Sequence, residues 1–132
     1  LEARARELGV ADSLVVLGRG LSARGMADLY RGSLGLVFPS LHEGFGLPAA
    51  EALACGVPVL VSRVGGLPEV VGDLGIYVDP KNPESIAEGI ERMLTDEAHR
   101  RRVAEEGPRR AAAFSYQAMA RGYVAVYEAV AR

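Results

Sequence analysis

Ser40-Leu41-His42-Glu43-Gly44-Phe45-Gly46-Leu47-Pro48-Ala49-Ala50-Glu51-Ala52 is the most informative stretch of this 132-residue chain. It follows an apolar run at 34–38, closed by Pro39-Ser40, and it opens a helix that reads on to Gly56. Pro48 suits a first helical turn, where its absent N–H costs nothing. A strand, a glycine-rich turn and a helix in that order form the first half of a β-α-β unit.

Working outward, the same alternation recurs. Leu14-Val15-Val16-Leu17 reads as a strand ended by Gly18, Pro58 to Val61 begins another, and Gly75 to Val78 is a fourth, closed by Asp79-Pro80. Helical patterns lie between them. Residues 1–8 form one, stopped by Gly9, and Ser22 caps a second over 23–32 with Met26, Leu29 and Tyr30 on one face. A short helix fits 67–71, after the Val64-Gly65-Gly66 loop. The remainder, 84–132, is helical. Ile86, Ile90, Met93 and Leu94 mark one helix, a second covers roughly 97–106, and a third follows Ser115. This last helix repeats Tyr116, Met119, Tyr123, Val126, Tyr127 and Val130 at three- and four-residue spacing, which predicts a packed face.

Unbroken apolar strands alternating with helices predict an α/β fold with a parallel sheet covered on both faces. Ligands in such sheets sit beyond the carboxyl ends of the strands. Here those ends are the loops 18–21, 40–47 and 62–67. The length suits one domain, and there is no repeat or low-complexity segment.

Composition excludes several classes. The formal net charge is -2, from 15 basic and 17 acidic side chains, so nothing supports binding to nucleic acid, which calls for a basic face. Cys55 is the only cysteine, which rules out an internal disulfide and a cysteine metal site. Its setting in Ala52-Leu53-Ala54-Cys55 reads as a small buried hydrophobe. No apolar stretch approaches the ~20 residues of a membrane span. The chain opens with charged Glu2, Arg4, Arg6 and Glu7 rather than a signal peptide. The expected location is the cytoplasm, with a peripheral membrane position left open for a longer protein.

The quoted stretch carries the chemistry. A helix start presents unpaired N–H groups and the positive end of the helix dipole, a seat for phosphate. Gly44 and Gly46 allow a tight turn and a close ligand approach. Glu43 precedes the helix, and Glu51 is expected in about its first turn. Carboxylates repel phosphate but accept hydrogen bonds from hydroxyls. Amides flanked by two carboxylates therefore suit a ligand with phosphate in its middle and hydroxyls at both ends, the layout of a nucleotide sugar. The structural alternative is a first-turn glutamate steadying its own helix dipole by ~0.3–1 kcal/mol, with glycines that serve only the turn.

At these residues the sequence resembles the family-four, or group 1, retaining glycosyltransferases. Their hallmark is two glutamates separated by seven residues, here Glu43 and Glu51, with Gly-Phe-Gly-Leu-Pro between them. Leu17-Gly18, Leu29-Tyr30, Val37-Phe38-Pro39-Ser40, Gly56-Val57-Pro58-Val59, Gly65-Gly66-Leu67-Pro68-Glu69-Val70 and Gly75 follow in the family's order, over nearly the whole chain. The resemblance implies the C-terminal, Rossmann-like half of a GT-B enzyme, the half that binds the nucleotide sugar. It implies that Glu51 accepts from the ribose hydroxyls and that Glu43 stands beside the transferred sugar as the catalytic-site residue. It further implies that the amides of Phe45, Gly46 and Leu47, beside Gly44, contact sugar or diphosphate, and that Gly18-Arg19-Gly20 lies beside the base. Transfer would retain configuration and would use no cofactor and no metal.

The match has gaps. The family's basic pair follows the domain's first strand, and no equivalent stands here. Arg19 and Arg24 occupy another loop, and Lys81 follows the last strand. The resemblance implies two further strands between the runs at 14–17 and 34–38, and an N-terminal acceptor-binding domain. The chain is thus expected to be a partial donor domain that self-associates or belongs to a longer protein. Alternative readings are a sugar-nucleotide epimerase of the same architecture and a non-catalytic binding or assembly module.

Overall fold

The computed structural model describes residues 1–18 and 20–131. Three short strands, β1 (Leu36–Phe38), β2 (Val59–Ser62) and β3 (Gly75–Val78), form a wholly parallel sheet in the order β1-β2-β3. Leu36 pairs with Val59, and Val59 pairs with Gly75. Around them run α1 (Glu2–Glu7), α2 (Ala23–Gly32), α3 (Leu47–Ala54), α4 (Leu67–Val71), α5 (Pro83–Thr95), α6 (Glu97–Ala112) and α7 (Tyr116–Val130). The α/β reading holds, and β3 and α4 fall where the sequence puts them.

Alternation along the strands builds two cores. Val59 and Val61 of β2 face a large cluster with Ala49, Ala52 and Leu53 of α3, Leu67, Val70 and Val71 of α4, and Val103 of α6. Leu60, on the opposite side of β2, packs with Ile76 and Val78 of β3 and Met93 of α5. All four residues of β2 are buried, which explains its unbroken apolar sequence.

Helices α3 and α6 approach closely because Gly107 has no side chain: a Cβ there would lie 2.8 Å from the Leu53 carbonyl oxygen. The sequence reading stops α6 near residue 106, but the helix continues through Gly107-Pro108 to Ala112. Burial of Val103 and Gly107 against α3 outweighs the proline's lost hydrogen bond, which costs ~3 kcal/mol in an unsupported helix.

Two expectations fail for one reason. The run at 14–17 is not a strand, and Val15 is 81 % exposed. Among the described residues, none hydrogen-bonds to the main chain of Val15, Val16 or Leu17. A strand exists only by pairing, so an apolar run without a neighbour stays irregular. The expected packed face of α7 is likewise uncovered: none of its residues is buried, and Tyr116 is 83 % exposed. Tyr123 and Tyr127 stack on each other at 6.4 Å between ring centroids. Helical spacing marks a face able to pack, but no described element lies against it.

His99, in the first turn of α6, has a buried Nε2 with no hydrogen-bond partner among the described residues. Burial lowers its pKa below the ordinary 6.5, assisted by Arg92 and Arg102 and opposed by Asp96 and the Leu74 backbone. The unfolded chain therefore takes up this proton at a higher pH than the folded chain does. Stability is full above about pH 6.5 and declines as pH falls towards the folded value. His99→Leu should flatten the slope of unfolding free energy against pH between 6.5 and 5, measured by urea denaturation.

Candidate functional site

The loop between β1 and α3 and the loop between β2 and α4 both leave the carboxyl edge of the sheet, and they meet there. The Gly66 N–H donates to the Gly44 carbonyl at 2.9 Å. Gly65 has a φ of +52°, and a Cβ on it would collide with the Glu43 carbonyl. At the end of β2, the buried Ser62 hydroxyl donates to the Ser40 carbonyl just past β1. Gly65 and Gly66, readable as a simple strand-to-helix turn, thus clamp the backbone that carries Glu43.

Helix α3 begins at Gly46, whose φ of 91° lies in the left-handed region and which offers no side-chain cap. In contrast, Ser22, Asn82, Asp96 and Ser115 each cap the start of α2, α5, α6 and α7. Among the described residues, no protein acceptor takes the N–H of Phe45, Gly46 or Leu47. These three amides stand at the positive end of α3.

Glu43 is half-buried, and its Cγ lies 3.7 Å from where a Cβ on Gly46 would sit. The carboxylate accepts from the Gly44 N–H at 3.1 Å. Its loop lines an open depression of about 630 Å³ with Leu41, His42, Gly44, Val64 and Gly65. Phe45 is anchored from below by Phe114, in an edge-to-face contact at 5.5 Å, a geometry worth ~0.5–1.5 kcal/mol beyond burial. Leu47 is exposed at the first position of α3.

Glu51 lies five residues beyond Gly46, in the second turn rather than the first, about 7.5 Å along the axis. That position weakens the alternative in which it steadies its own helix, since the dipole effect fades within one turn. Glu51 is exposed, and its Oε2 accepts from the Tyr30 hydroxyl at 3.1 Å. The sequence reading placed Tyr30 on an apolar face and missed this bond; a tyrosine on such a face, with a polar atom to satisfy, was the available signal.

Gly18 and Gly20 are exposed at the end of the unpaired run, and Arg19 lies outside the described residues. No hydrogen bond among the described residues links Gly18 or Gly20 to the glycine loop. Cys55 is only half-buried at the edge of the main cluster, rather than fully buried as its apolar setting suggested. Glu69 is an exposed first-turn residue of α4. No described helix is long and apolar enough to cross a membrane.

A three-stranded parallel sheet flanked by helices, with its ligand-facing loops at the carboxyl edge, is the Rossmann-like architecture of a GT-B domain. The chain belongs to the glycosyl transferases group 1 family, which it matches over residues 1–110. It is 43% identical over 131 residues to the MMP alpha-(1->4)-mannosyltransferase of Mycolicibacterium hassiacum, covering 96% of this chain and 32% of that protein. It is 39% identical over 127 residues to the D-inositol 3-phosphate glycosyltransferase of Nocardiopsis dassonvillei, covering 95% and 29%. Among solved structures, sucrose-phosphate synthase from Thermosynechococcus elongatus superposes with a TM-score of 0.87 at 32% identity, over 98% of this chain and 33% of that one. The chain spans about a third or less of the length of each of these proteins.

The loop clamp yields a contrast between two glycines. Gly65→Ala forces a side chain into the Glu43 carbonyl at a positive φ, so the thermal midpoint should fall by several degrees, on the order of 1–3 kcal/mol. Gly44→Ala projects into open space and should leave the midpoint within about a degree or two. Differential scanning calorimetry of the two variants checks this.

Proposed function

We propose that this chain is the donor-binding part of a retaining glycosyltransferase, which moves a sugar from a nucleotide-diphosphate sugar to an acceptor hydroxyl. The observation that carries the reading is the bare helix start of α3, with Glu43 over it and Glu51 one turn further on. Diphosphate at the amides of Phe45, Gly46 and Leu47 would put the ribose hydroxyls near Glu51 and the hexose hydroxyls near Glu43. The same amides would stabilise charge as it develops on the leaving diphosphate. By family resemblance, basic side chains outside this chain complete that stabilisation, and no metal or other cofactor takes part. Gly18-Arg19-Gly20 is assigned to the base on the same ground. The relatives named mannosyltransferase and inositol-phosphate glycosyltransferase support a sugar donor.

The acceptor belongs to a further domain of the whole protein, which we assign to the cytoplasm. The free edge of β1, the half-exposed Val37 and the unpaired run at 14–17 support additional strands beside β1. The 132-residue chain alone should therefore exchange its β1 amides within minutes while β2 stays protected, as read by hydrogen–deuterium exchange. A uniformly protected sheet in a monomer would contradict this.

In the whole protein, Glu51→Ala should weaken binding of the nucleoside diphosphate and of the sugar donor alike, by roughly 10- to 150-fold, the worth of hydrogen bonds to a charged acceptor. Glu43→Ala should weaken the sugar donor with little change for the bare diphosphate. Titration calorimetry with both ligands checks the split, and equal losses for both ligands in the Glu43 variant would refute it.

A further inference from the structure

We propose that Tyr30 is a positioning residue for Glu51, holding its carboxylate in the orientation that receives the donor's ribose. The inference rests on the donor-site reading given above. Glu51 stands on the exposed side of α3, where a glutamate with three rotatable side-chain bonds samples several rotamers. Tyr30 does not share that freedom. It is 7 % exposed, and its ring belongs to the main hydrophobic cluster. Its backbone is pinned as well, since the Ser33 N–H and hydroxyl both donate to the Tyr30 carbonyl, at 2.9 and 2.8 Å.

A rigid aromatic from α2 therefore delivers one hydroxyl to a flexible acid on α3, with Tyr30 donating to Glu51 Oε2 at 3.1 Å. Burial, with the Glu51 carboxylate alongside, pushes the phenol's pKa up to about 12. At neutral pH it keeps its proton and can only donate to the carboxylate. A carboxylate has about four acceptor sites, and a phenol occupies one of them. Oε1 and the remainder of Oε2 stay open, enough for the two adjacent hydroxyls of a ribose. Fixing the acid before the ligand arrives removes part of the ordering cost from binding.

The competing role is structural, in which Glu51 merely satisfies a buried phenol. Tyr30→Phe, Glu51→Ala and the double variant of the whole protein separate the two, read by calorimetry with uridine and guanosine diphosphate and with their 2′,3′-dideoxy forms. Tyr30→Phe keeps the ring and should weaken the ribonucleotide roughly three- to tenfold. It should leave the weaker dideoxy ligand unchanged, and the double variant should bind no worse than Glu51→Ala alone. In steady-state kinetics the donor KM should rise with kcat nearly constant. Normal ribonucleotide affinity in Tyr30→Phe, equal losses for ribo and dideoxy ligands, or additive losses in the double variant would overturn the positioning role while leaving the donor site intact. Unchanged binding in Glu51→Ala would instead overturn the donor-site reading itself, and this inference with it.

Discussion

The contact between two backbone turns organises the carboxyl edge of the sheet. Gly65 and Gly66 press directly against Glu43 and Gly44, with no side chain between them. A loop held only by its own residues would sample many shapes, because each backbone residue ordered costs ~1–2 kcal/mol. Here the cost is offset by tying that loop to the end of β2, the most buried element of the fold. Ser62 reaches back to Ser40, and Phe114 supports Phe45 from α6's far end. The glycine turn thereby inherits the rigidity of the core, and its backbone amides hold fixed directions.

Much of this was legible from residue types. The β2 run and the Ser22 and Ser115 caps announce themselves locally, because burial on both faces and capping leave direct marks on sequence. The glycine turn and the start of α3 were legible too, since Gly44, Gly46 and Pro48 after an apolar run mark a strand-to-helix turn. The failures share one physical cause. The runs at 14–17 and along α7 state what could be buried, but burial needs a surface to meet, and a partner's presence leaves no trace in the run itself. Gly107-Pro108 misled in the opposite direction: local propensity said stop, and contact with α3 overruled it. The Tyr30–Glu51 bond joins residues 21 apart in sequence, and no local pattern encodes it.

The sheet is served unevenly on its two sides. Among the described residues, one face is covered by α2, α3, α4 and α6, while α5 covers the other through Met93 and its neighbours. The well-covered face is the one continuous with α3 and the clamp. Arg110 strengthens that side by donating to the Val70 carbonyl at 2.6 Å, closing the end of α4. Arg102 and Asp73 pair nearby, which holds the Asp73 carboxyl below its usual range. Packing is thus concentrated on the face that supports the β1–α3 and β2–α4 loops.

The bare Cα of Gly107 has a consequence for substitution. Because α6 lies on the Leu53 carbonyl at that point, any side chain there must push two helices apart. Gly32 and Gly122, by contrast, have nothing within 4 Å of where a side chain would start. An alanine or serine at position 32 or 122 would therefore meet open space, whereas one at position 107 would have to displace α6 from α3. The room beside these three glycines thus separates two surface positions from the point where α3 and α6 meet.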